Sequence, residues 1–459
     1  MLNRQLNEDT ITALSTPPGI GGIAVVRISG EKSLQIINKL LPKSKHLSSK
    51  SHGIATPATI IDAKSQEPID EVIVTYFRGP NSYTTEDLVE ISCHGGLYVQ
   101  GILLELITDL GARVAQPGEF TKRAFLGGRI DLSQAEGVAD IIAAKVESAH
   151  KSSLLQIQGN IKRSVKSLRS RIIEIAALIE AELDFSEDEI EHTSNKKLAE
   201  MIKALHTDAL GLLQNYGYGK ILREGALVPI IGKPNAGKSS LLNAILNSDR
   251  AIVTPTPGTT RDTIEEEVEL GGYLIRLVDT AGLRESGDNI EQIGIDKSIS
   301  RLESADLTVW LLDRSTPIEN EDIAIFKRLE GKNYITIESK VDLERDASFS
   351  PQKNGFNIEC SISSLTGEGM EALGEKIAER VGEISSGEAA IITNARHASA
   401  IKLGAASLQG AVAAAKEGRG GEYLAVDLRE AMDHLGELTG EVTTDDILNE
   451  IFGKFCIGK

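Results

Sequence analysis

Cysteine is scarce in this chain of 459 residues, which contains three. Cys93, Cys360 and Cys456 lie far apart and show no spacing typical of metal ligands. Their scarcity excludes a disulfide-rich secreted scaffold and fits reduced thiols in a reducing compartment. We expect Cys93 and Cys360, each at the end of a strand-like run, to be small buried residues. We leave Cys456 outside the catalytic set, because a helix-end thiol without an evident base beside it is more often inert than reactive.

Long apolar runs are absent as well. No window approaches the roughly 18–20 uncharged apolar residues that a membrane-spanning helix needs. The stretch from Met1 to Thr10 carries Asn, Glu and Asp where a secretory signal has basic residues followed by an apolar run. We therefore expect a cytoplasmic protein without membrane contact.

Positive charge is in deficit, since 49 Lys and Arg against 67 Asp and Glu give a net charge of −18 at pH 7. Such a chain does not bind nucleic acid over its whole surface, so a nucleic-acid partner needs a local basic patch. Lys162, Lys166 and Arg169 form one candidate, because their spacing places them on one helical face. Two interpretations stay open: a solvated helix face, which we favour, and a nucleic-acid surface.

The length of the chain exceeds what one hydrophobic core serves, so we expect two to four domains. Residues 1–122 carry three strand-like runs rich in β-branched residues and separated by loops with proline or glycine, which predicts an α+β domain. The runs are 23–28, 72–77 and 88–93.

Helical periodicity characterises two separate segments, 123–222 and 386–459. Apolar stripes at helical spacing run along both: Ile172, Ile175, Ile179 and Leu183 in the first, and Leu424, Leu428, Ala431, Leu435 and Leu438 in the second. Neither segment can bury its stripe alone, so we expect the two to pack together as one discontinuous α-helical domain. Residues 223–385 are then an inserted domain, and the fold class is multidomain α/β.

A phosphate-binding loop opens the inserted domain. Gly232 to Ser239 matches G-x-x-x-x-G-K-[ST], follows the apolar strand 227–231 and precedes a predicted helix. Glycines let backbone N–H groups curl around phosphates, and the helix N-terminus adds its positive dipole end. Lys238 is expected to reach the β- and γ-phosphates, and the Ser239 hydroxyl to bind Mg²⁺. The strand, loop and helix together predict a Ras-like P-loop G domain.

Two further loops fit the same domain. Gly271 and Gly272 predict a hairpin between strands 263–270 and 273–279. The second strand ends in Asp279 to Gly282, where an acid holds the Mg²⁺ shell and a glycine lets a backbone N–H approach the γ-phosphate. Between the P-loop and the hairpin, Thr260 is the threonine that we expect to sense the γ-phosphate through the metal.

Base choice depends on Ser339, Lys340 and Asp342. The carboxylate of Asp342 can accept hydrogen bonds from guanine N1 and N2, which adenine does not offer, and Lys340 can stack on the base. GTPases usually have N-K-x-D, so Ser339 in place of Asn leaves one supporting hydrogen bond altered or missing. Ser363 and Ser364 stand where an S-A-x motif covers the base. Guanine stays the expected base.

The usual water-orienting glutamine is missing. Many GTPases place Gln directly after D-x-x-G, whereas this chain has Leu283. A leucine cannot orient the attacking water. Catalysis must therefore use a polar residue of the loop 284–291 or an external charge.

The whole set of motifs resembles the MnmE (TrmE) family of tRNA-modification GTPases, within the TrmE-Era-EngA-like P-loop GTPase superfamily. The resemblance covers essentially the full chain. Its most specific stretches are 234–239, 258–262, 279–284 and 455–459, with further matches at 17–19, 27–30, 94–96 and 117–121. Ser339 and Ser364 depart from the family pattern, and both departures concern base recognition.

The resemblance implies an N-terminal folate-binding domain that mediates homodimerisation, a helical domain made of two segments, and the inserted G domain. Together with the flavoprotein MnmG, such proteins install an aminomethyl or carboxymethylaminomethyl group on C5 of the wobble uridine (U34) of certain tRNAs. The one-carbon unit comes from 5-formyltetrahydrofolate or a related tetrahydrofolate derivative, and tRNA is the substrate of the complex.

Residue roles carry over by position. The GTP-binding set expected from the motifs and the resemblance is Asn235, Ala236, Gly237, Lys238, Ser239, Ser240, Thr254, Pro255, Thr256, Pro257, Gly258, Thr259, Thr260, Asp279, Thr280, Ala281, Gly282, Ser339, Lys340, Asp342, Ser363 and Ser364. Ser239 and Thr260 would bind Mg²⁺. The implied K⁺ ligands are Asn235, Thr254, Thr256 and Thr259. A cation there neutralises developing charge as an arginine finger does, a role worth about 10³–10⁵ in rate.

The implied catalytic residues are Glu291, which would position water, and Arg284, which would help order the switch loop. The implied folate residues are Arg27, Glu90, Arg129 and Lys459. For Glu291 a solvated position on the switch helix stays an alternative, and for Arg27 and Arg129 surface ion pairing does.

Two other functions stay open at this point. One is a ribosome-assembly or translation-type GTPase switch, which would carry an appended, strongly basic RNA-binding module that this acidic chain lacks. The other is a one-carbon-transfer enzyme that GTP merely regulates. A modified wobble uridine in tRNA would distinguish the tRNA-modification GTPase that the resemblance implies from these two alternatives.

Overall fold

A computed structural model describes residues 9–184, 195–247, 265–279, 303–384 and 392–459. The chain forms two compact units. The first contains the described residues within 1–139, 156–195 and 413–459, and the second contains those within 140–155 and 196–412.

The first unit contains a six-stranded sheet in the order β3-β4-β5-β2-β1-β6. Neighbouring strands are antiparallel except β1 and β6, which are parallel. The strands are β1 (Ile11–Leu14), β2 (Gly21–Ser29), β3 (Ala55–Ile61), β4 (Pro68–Phe77), β5 (Leu88–Gly95) and β6 (Arg113–Val114). The three predicted strand-like runs lie within β2, β4 and β5.

Helices cover this sheet and extend the unit. They are α1 (Ser33–Lys39), α2 (Leu97–Asp109), α3 (Glu119–Leu126), α4 (Leu132–Ala143), α6 (Asn160–Asp184), α13 (Gly421–Thr439) and α14 (Asp445–Gly453), with short 3-10 turns at Lys43–Lys45 and Ser49–Ser51. The sheet core includes Val26, Ile28, Val74 and Ile91, buried with apolar residues of α1 and α2. Alternating burial along β2 and β5 follows from the period of two along a strand.

Helices α6 and α13, one from each predicted helical segment, pack against each other. Ile172, Ile175 and Ile179 of α6 are buried, and so are all five residues of the α13 stripe. Leu183, at the end of α6, is exposed. The apolar stripes of sequence-distant helices are therefore buried in one unit.

The second unit contains the other six-stranded sheet, in the order β12-β11-β10-β7-β9-β8. All neighbours are parallel except the β8–β9 hairpin, whose turn is Gly271-Gly272 as predicted. The strands are β7 (Ala226–Ile231), β8 (Glu265–Leu270), β9 (Tyr273–Asp279), β10 (Thr308–Asp313), β11 (Tyr334–Ser339) and β12 (Cys360–Ser361).

Helices surround this parallel sheet. They are α8 (Tyr216–Glu224), α9 (Lys238–Leu246), α10 (Asn320–Leu329) and α11 (Met370–Glu383), with α7 (Asn195–Gly211), most of α5 (Glu147–Ile157) and most of α12 (Ala395–Lys416) in the same unit, and a 3-10 turn at Pro351–Asn354. One core contains Val228, Ile230, Val309 and Ile337. A second, aromatic cluster forms around Trp310. Strands buried on both faces have continuous apolar sequences, which is why the sequence predicted the strand at 227–231, within β7.

In the part of the chain that the structure describes, none of the helices combines the length and apolar content needed to cross a membrane.

Candidate functional site

The P-loop lies between β7 and α9. A side chain at Gly232 would meet the carbonyl oxygen of Leu311 at 2.7 Å, so only glycine fits this close approach. Helix α9 begins at Lys238, with Gly237 as its N-cap. The Lys238 ammonium donates to the carbonyl oxygens of Gly232 and Lys233, both at 2.9 Å. The predicted strand, loop and helix are thus present, and the N-terminus of α9 lies beside the Lys238 ammonium.

The predicted neighbours of Lys238 differ in exposure. Asn235, Ser239 and Ser240 are exposed, whereas Ala236 is fully buried. Asn235 has a left-handed backbone, with φ of 62°. Exposed hydroxyl and amide groups at a helix N-terminus suit contact with an anion and its metal ions.

Ser339 joins the base-recognition loop to the P-loop. Its buried hydroxyl lies 2.9 Å from the carbonyl oxygen of Ala236 and 3.2 Å from that of Leu312. A hydroxyl has one proton, so the two carbonyls share a single donor. The supporting bond at this position is therefore altered in chemistry rather than missing.

Lys340 is held by an acid that the sequence analysis did not identify. Its ammonium donates to Asp313 Oδ2 at 2.6 Å, and Asp313 is the last residue of β10. Burial raises the pKa of Asp313, but hydrogen bonds from Lys340 and Ser315 lower it by more, so the net pKa is below its usual value. Asp313 therefore stays ionised and fixes the lysine expected to stack on the base.

Asp342 is oriented by the predicted base-covering segment. Ser363 Oγ donates to Asp342 Oδ1 at 2.5 Å, while Ser363 itself is fully buried. The same hydroxyl accepts hydrogen bonds from the backbone N–H groups of Leu365 and Thr366. Ser364 follows at an intermediate exposure. Asp342 is exposed and aimed by a rigid neighbour, which suits an acceptor for a base edge.

Many predicted site residues lie outside the described ranges. They are Thr254, Pro255, Thr256, Pro257, Gly258, Thr259, Thr260, Thr280, Ala281, Gly282, Arg284 and Glu291. Asp279 ends β9. The expected roles of the residues outside the described ranges stay predictions. In the described part of the chain, no group of three or more His, Cys, Asp or Glu residues is arranged to hold a metal ion.

A second site lies in the first unit. Arg27, Glu90 and Arg129, three of the four predicted folate residues, line one cavity of about 680 Å³. Arg27 donates to Glu90 Oε1 from Nη2 at 2.6 Å and from Nε at 3.0 Å. Two guanidinium groups lie over the Tyr83 ring, Arg27 at 5.5 Å and Arg129 at 4.8 Å from its centroid. The cavity thus combines cationic, anionic and aromatic groups.

The C-terminal tail returns to this region of the same chain. The carbonyl oxygen of Gly458 accepts from Ser15 Oγ at 3.1 Å and from Arg27 Nη1 at 3.4 Å. Gly458 is buried with φ of 94°, and a side chain there would collide with the carbonyl of Leu14. Lys459, the fourth predicted folate residue, follows directly but is not among the residues that line the cavity.

Other residues of these sites were missed by the sequence analysis. Tyr83, Asp313 and Lys233 lie outside the motifs' named positions, and neither periodicity nor spacing marks them. For Lys233, the only signal was its place inside the P-loop. Of the cysteines, Cys93 is buried, Cys360 half-buried and Cys456 exposed. Burial raises the pKa of the Cys93 and Cys360 thiols, which suits inert residues.

Comparison with known proteins gives matches over nearly the whole chain. A family model described as the MnmE helical domain matches residues 132–456, and one described as the GTP-binding protein TrmE N-terminus matches residues 10–129. The tRNA modification GTPase MnmE of Clostridioides difficile (strain 630) is 43% identical over 461 residues, which cover 98% of this chain and 99% of that protein. The protein of the same name from Thermoanaerobacter pseudethanolicus (strain ATCC 33223 / 39E) is 44% identical over 460 residues, with the same coverage.

Among solved structures, the G domain of the T. maritima FeoB iron transporter is 28% identical and covers 34% of this chain and 98% of its own, with a TM-score of 0.25. That score is too low to carry an argument. The family matches and the two sheets confirm the expected fold class, an N-terminal α+β domain, a helical domain and a Ras-like G domain. The domain boundaries stay predictions. Since the two family models together, and each of the two relatives, cover nearly its full length, this chain belongs to the MnmE (TrmE) family.

Proposed function

We propose that this chain is a GTP hydrolase whose turnover serves the modification of wobble uridine in certain tRNAs. GTP hydrolysis in tRNA modification follows from membership of a family whose relatives are named tRNA modification GTPases. The observation that supports it best is the hydrogen bond between Ser339 Oγ and the carbonyl of Ala236, which ties a base-recognition loop to a phosphate-binding loop. The alternative of a ribosome-assembly or translation switch has no observation in its favour.

The chemistry assigned to this site is phosphoryl transfer to water. The P-loop N–H groups and Lys238 would hold the phosphates, while Asp342, aimed by Ser363, would accept from guanine. Ser239, exposed in the first turn of α9, and Thr260 would hold Mg²⁺. The metal supplies charge neutralisation at the phosphate oxygens when bound.

We further propose that K⁺ stimulates hydrolysis. Asn235, exposed beside the helix start, is the described member of the proposed ligand set, which also includes Thr254, Thr256 and Thr259. Leu283 cannot orient water, so Glu291 would do so, with Arg284 ordering the switch. A cation in this position replaces a charge that many GTPases receive from an arginine.

The cavity near Tyr83 supports the folate proposal. About 680 Å³ is within the range of small-molecule sites. Arg27 and Arg129 suit the carboxylates of a tetrahydrofolate derivative such as 5-formyltetrahydrofolate, Glu90 suits the donor edge of its pterin, and Lys459 would complete the site. In the proposed reaction a homodimer acts with MnmG in the cytoplasm, and the folate supplies the one-carbon unit added to C5 of uridine.

The test of the hydrolase activity is turnover of GTP and ATP by the purified chain, in K⁺ and in Na⁺ at matched ionic strength. We expect GTP to be hydrolysed, ATP not, and K⁺ to be strongly preferred. Asn235→Ala should remove the K⁺ effect while nucleotide binding changes little. Equal rates in the two salts would contradict the K⁺ proposal, and equal rates with GTP and ATP would contradict the base assignment.

A further inference from the structure

Lys233, the second residue of the P-loop, directs its ammonium to the segment that joins β10 to α10. It donates to the carbonyl oxygen of Pro317 at 3.0 Å and to Glu319 Oε2 at 3.1 Å, and lies 3.5 Å from Asp322 Oδ2. Its side chain is only 8% exposed. Lysine is rarely buried unless it is paired, because desolvating an ammonium is costly. Three oxygen partners are what permits this burial.

The partners of Lys233 are themselves fixed. Asp322 exposes 1% of its side chain, and its Oδ2 accepts from the backbone N–H of Glu319 at 3.0 Å. That bond lies at the start of α10, where Glu319 is the N-cap. The carboxylate that meets Lys233 therefore also closes the first turn of a helix packed on the sheet.

The P-loop needs such an anchor because its backbone is irregular. Asn235 and Gly237 both have left-handed φ angles. Ser339 holds the later part of the loop through Ala236. Lys233 holds the beginning, and the carbonyl of Lys233 is also one of the two acceptors of the Lys238 ammonium. A shift at residue 233 therefore moves an oxygen that positions Lys238.

We propose that Lys233 is a positioning residue for nucleotide binding: its ion pairs with Glu319 and Asp322 hold the start of the P-loop in the conformation that accepts phosphates. The inference rests on the proposed GTP site. Neither the P-loop motif nor the family resemblance assigned Lys233 a role. Glu319 and Asp322 lie at the start of α10 and not in the P-loop, so the anchor acts through the position of the loop backbone.

The test is the dissociation constant of a fluorescent GDP analogue, measured by titration of the full chain. Lys233→Met should raise this dissociation constant about tenfold, because a small displacement of positioned binding groups weakens an interaction by roughly this factor or more. Lys233→Arg, which keeps the charge and the donors, should stay near the wild-type value. Glu321→Gln is the matched control, because Glu321 is the exposed acid beside Asp322 in the first turn of α10.

A double-mutant cycle separates positioning from general stability. Glu319→Gln should weaken GDP binding in the wild-type background and have no further effect in Lys233→Met. Glu319 is 58% exposed, so Glu319→Gln keeps the fold and carries the test alone if Lys233→Met does not fold. Wild-type affinity in folded Lys233→Met, or in Glu319→Gln, overturns the inference. Failure of the wild-type chain to bind GDP overturns the proposed function itself, together with this inference.

Discussion

At the scale of single residues, the proposed base site depends on a carboxylate that is held by a serine. Asp342 accepts from Ser363, and Ser363 is in turn fixed by two backbone N–H groups. The arrangement leaves the carboxylate able to accept from two neighbouring donors, as guanine N1 and N2 provide. Base choice should therefore follow the chemistry of this one side chain.

Asp342→Asn should reverse the base preference. The amide offers a donor where xanthine has its C2 carbonyl, and it loses the acceptor that the guanine amino group needs. We expect the ratio of XDP to GDP affinity to rise by roughly two orders of magnitude, as sites built to bond a polar group reject its analogue at least this strongly. Competition titrations measure the ratio. An unchanged ratio would show that Asp342 does not read the base.

A buried charge cluster in the first unit depends on Arg123. Its side chain is 3% exposed and contacts Asp9, Glu86 and Glu119. Burial raises the pKa of Glu119, but hydrogen bonds from Arg113, Gln116 and Arg123 lower it by more, so the net pKa of Glu119 is below its usual value. Burial also raises the pKa of Asp9, but its interactions with Arg113 and Arg123 lower it by more, so the net pKa of Asp9 is below its usual value.

Arg123→Met should lower the free energy of unfolding by about 3–5 kcal/mol, because the largely buried carboxylates of Glu86 and Glu119 lose their ion pairs with a buried guanidinium. Urea denaturation measures the change. Arg419→Met is the control: Arg419 is 57% exposed in its pair with Glu417, so the loss should be about 1 kcal/mol or less. Similar losses of unfolding free energy in Arg123→Met and Arg419→Met would contradict this role of Arg123.

The same cluster predicts a pH dependence of stability. Because the folded pKa values of Asp9 and Glu119 are lowered, the stabilisation from these two groups is present above their unfolded pKa values near 4 and is lost as the pH falls through the folded pKa values.

At the scale of elements, helix α14 directs the end of the chain. It begins at Asp445, where the Thr444 side chain accepts a hydrogen bond from the backbone N–H of Ile447. Leu448, Ile451 and Phe452 are buried in a cluster with Phe125 of α3. Beyond the helix, the carbonyl of Cys456 accepts from the N–H of Gly118. The helix is thus docked before the tail reaches Arg27.

Deleting residues 456–459 should therefore weaken folate binding and leave GTP hydrolysis largely unchanged. The deletion removes the Gly458 carbonyl that contacts Arg27 and Ser15, and Lys459 with it. Calorimetric titration with 5-formyltetrahydrofolate measures the first effect and phosphate release the second. Full-length affinity in the truncated chain would show that the tail is not part of the site.

Elements and their linear motifs were predictable from sequence, whereas contacts between distant elements were not. The strand β7, the P-loop and the β8–β9 hairpin follow from local apolar runs and glycine pairs. The partners of Lys340 and Lys233 do not, because Asp313 and Glu319 come from the end of β10 and the start of α10. Such pairs depend on strand order, which no local pattern encodes. Tyr83 is similar, since its loop meets Arg27 and Arg129 only in the folded unit.

At the scale of the whole molecule, the chain contains two sites of different chemistry. One unit has the P-loop and the base-recognition loop, and the other has the cavity lined by Arg27, Glu90 and Arg129. The proposed GTP site and the proposed folate site in one chain would suit an enzyme that couples nucleotide turnover to one-carbon transfer. The proposed role of this coupling is the modification of tRNA.

Mass spectrometry of tRNA nucleosides is the measurement that tests this role. Nucleosides are compared between a strain that lacks this chain and the same strain carrying the wild-type chain or Lys238→Ala, which cannot hold the phosphates. We expect the C5-substituted wobble uridine to disappear on deletion, to return with the wild-type chain and not to return with Lys238→Ala. Unchanged wobble uridine after deletion would contradict the role in tRNA modification, and full restoration by Lys238→Ala would contradict its dependence on GTP.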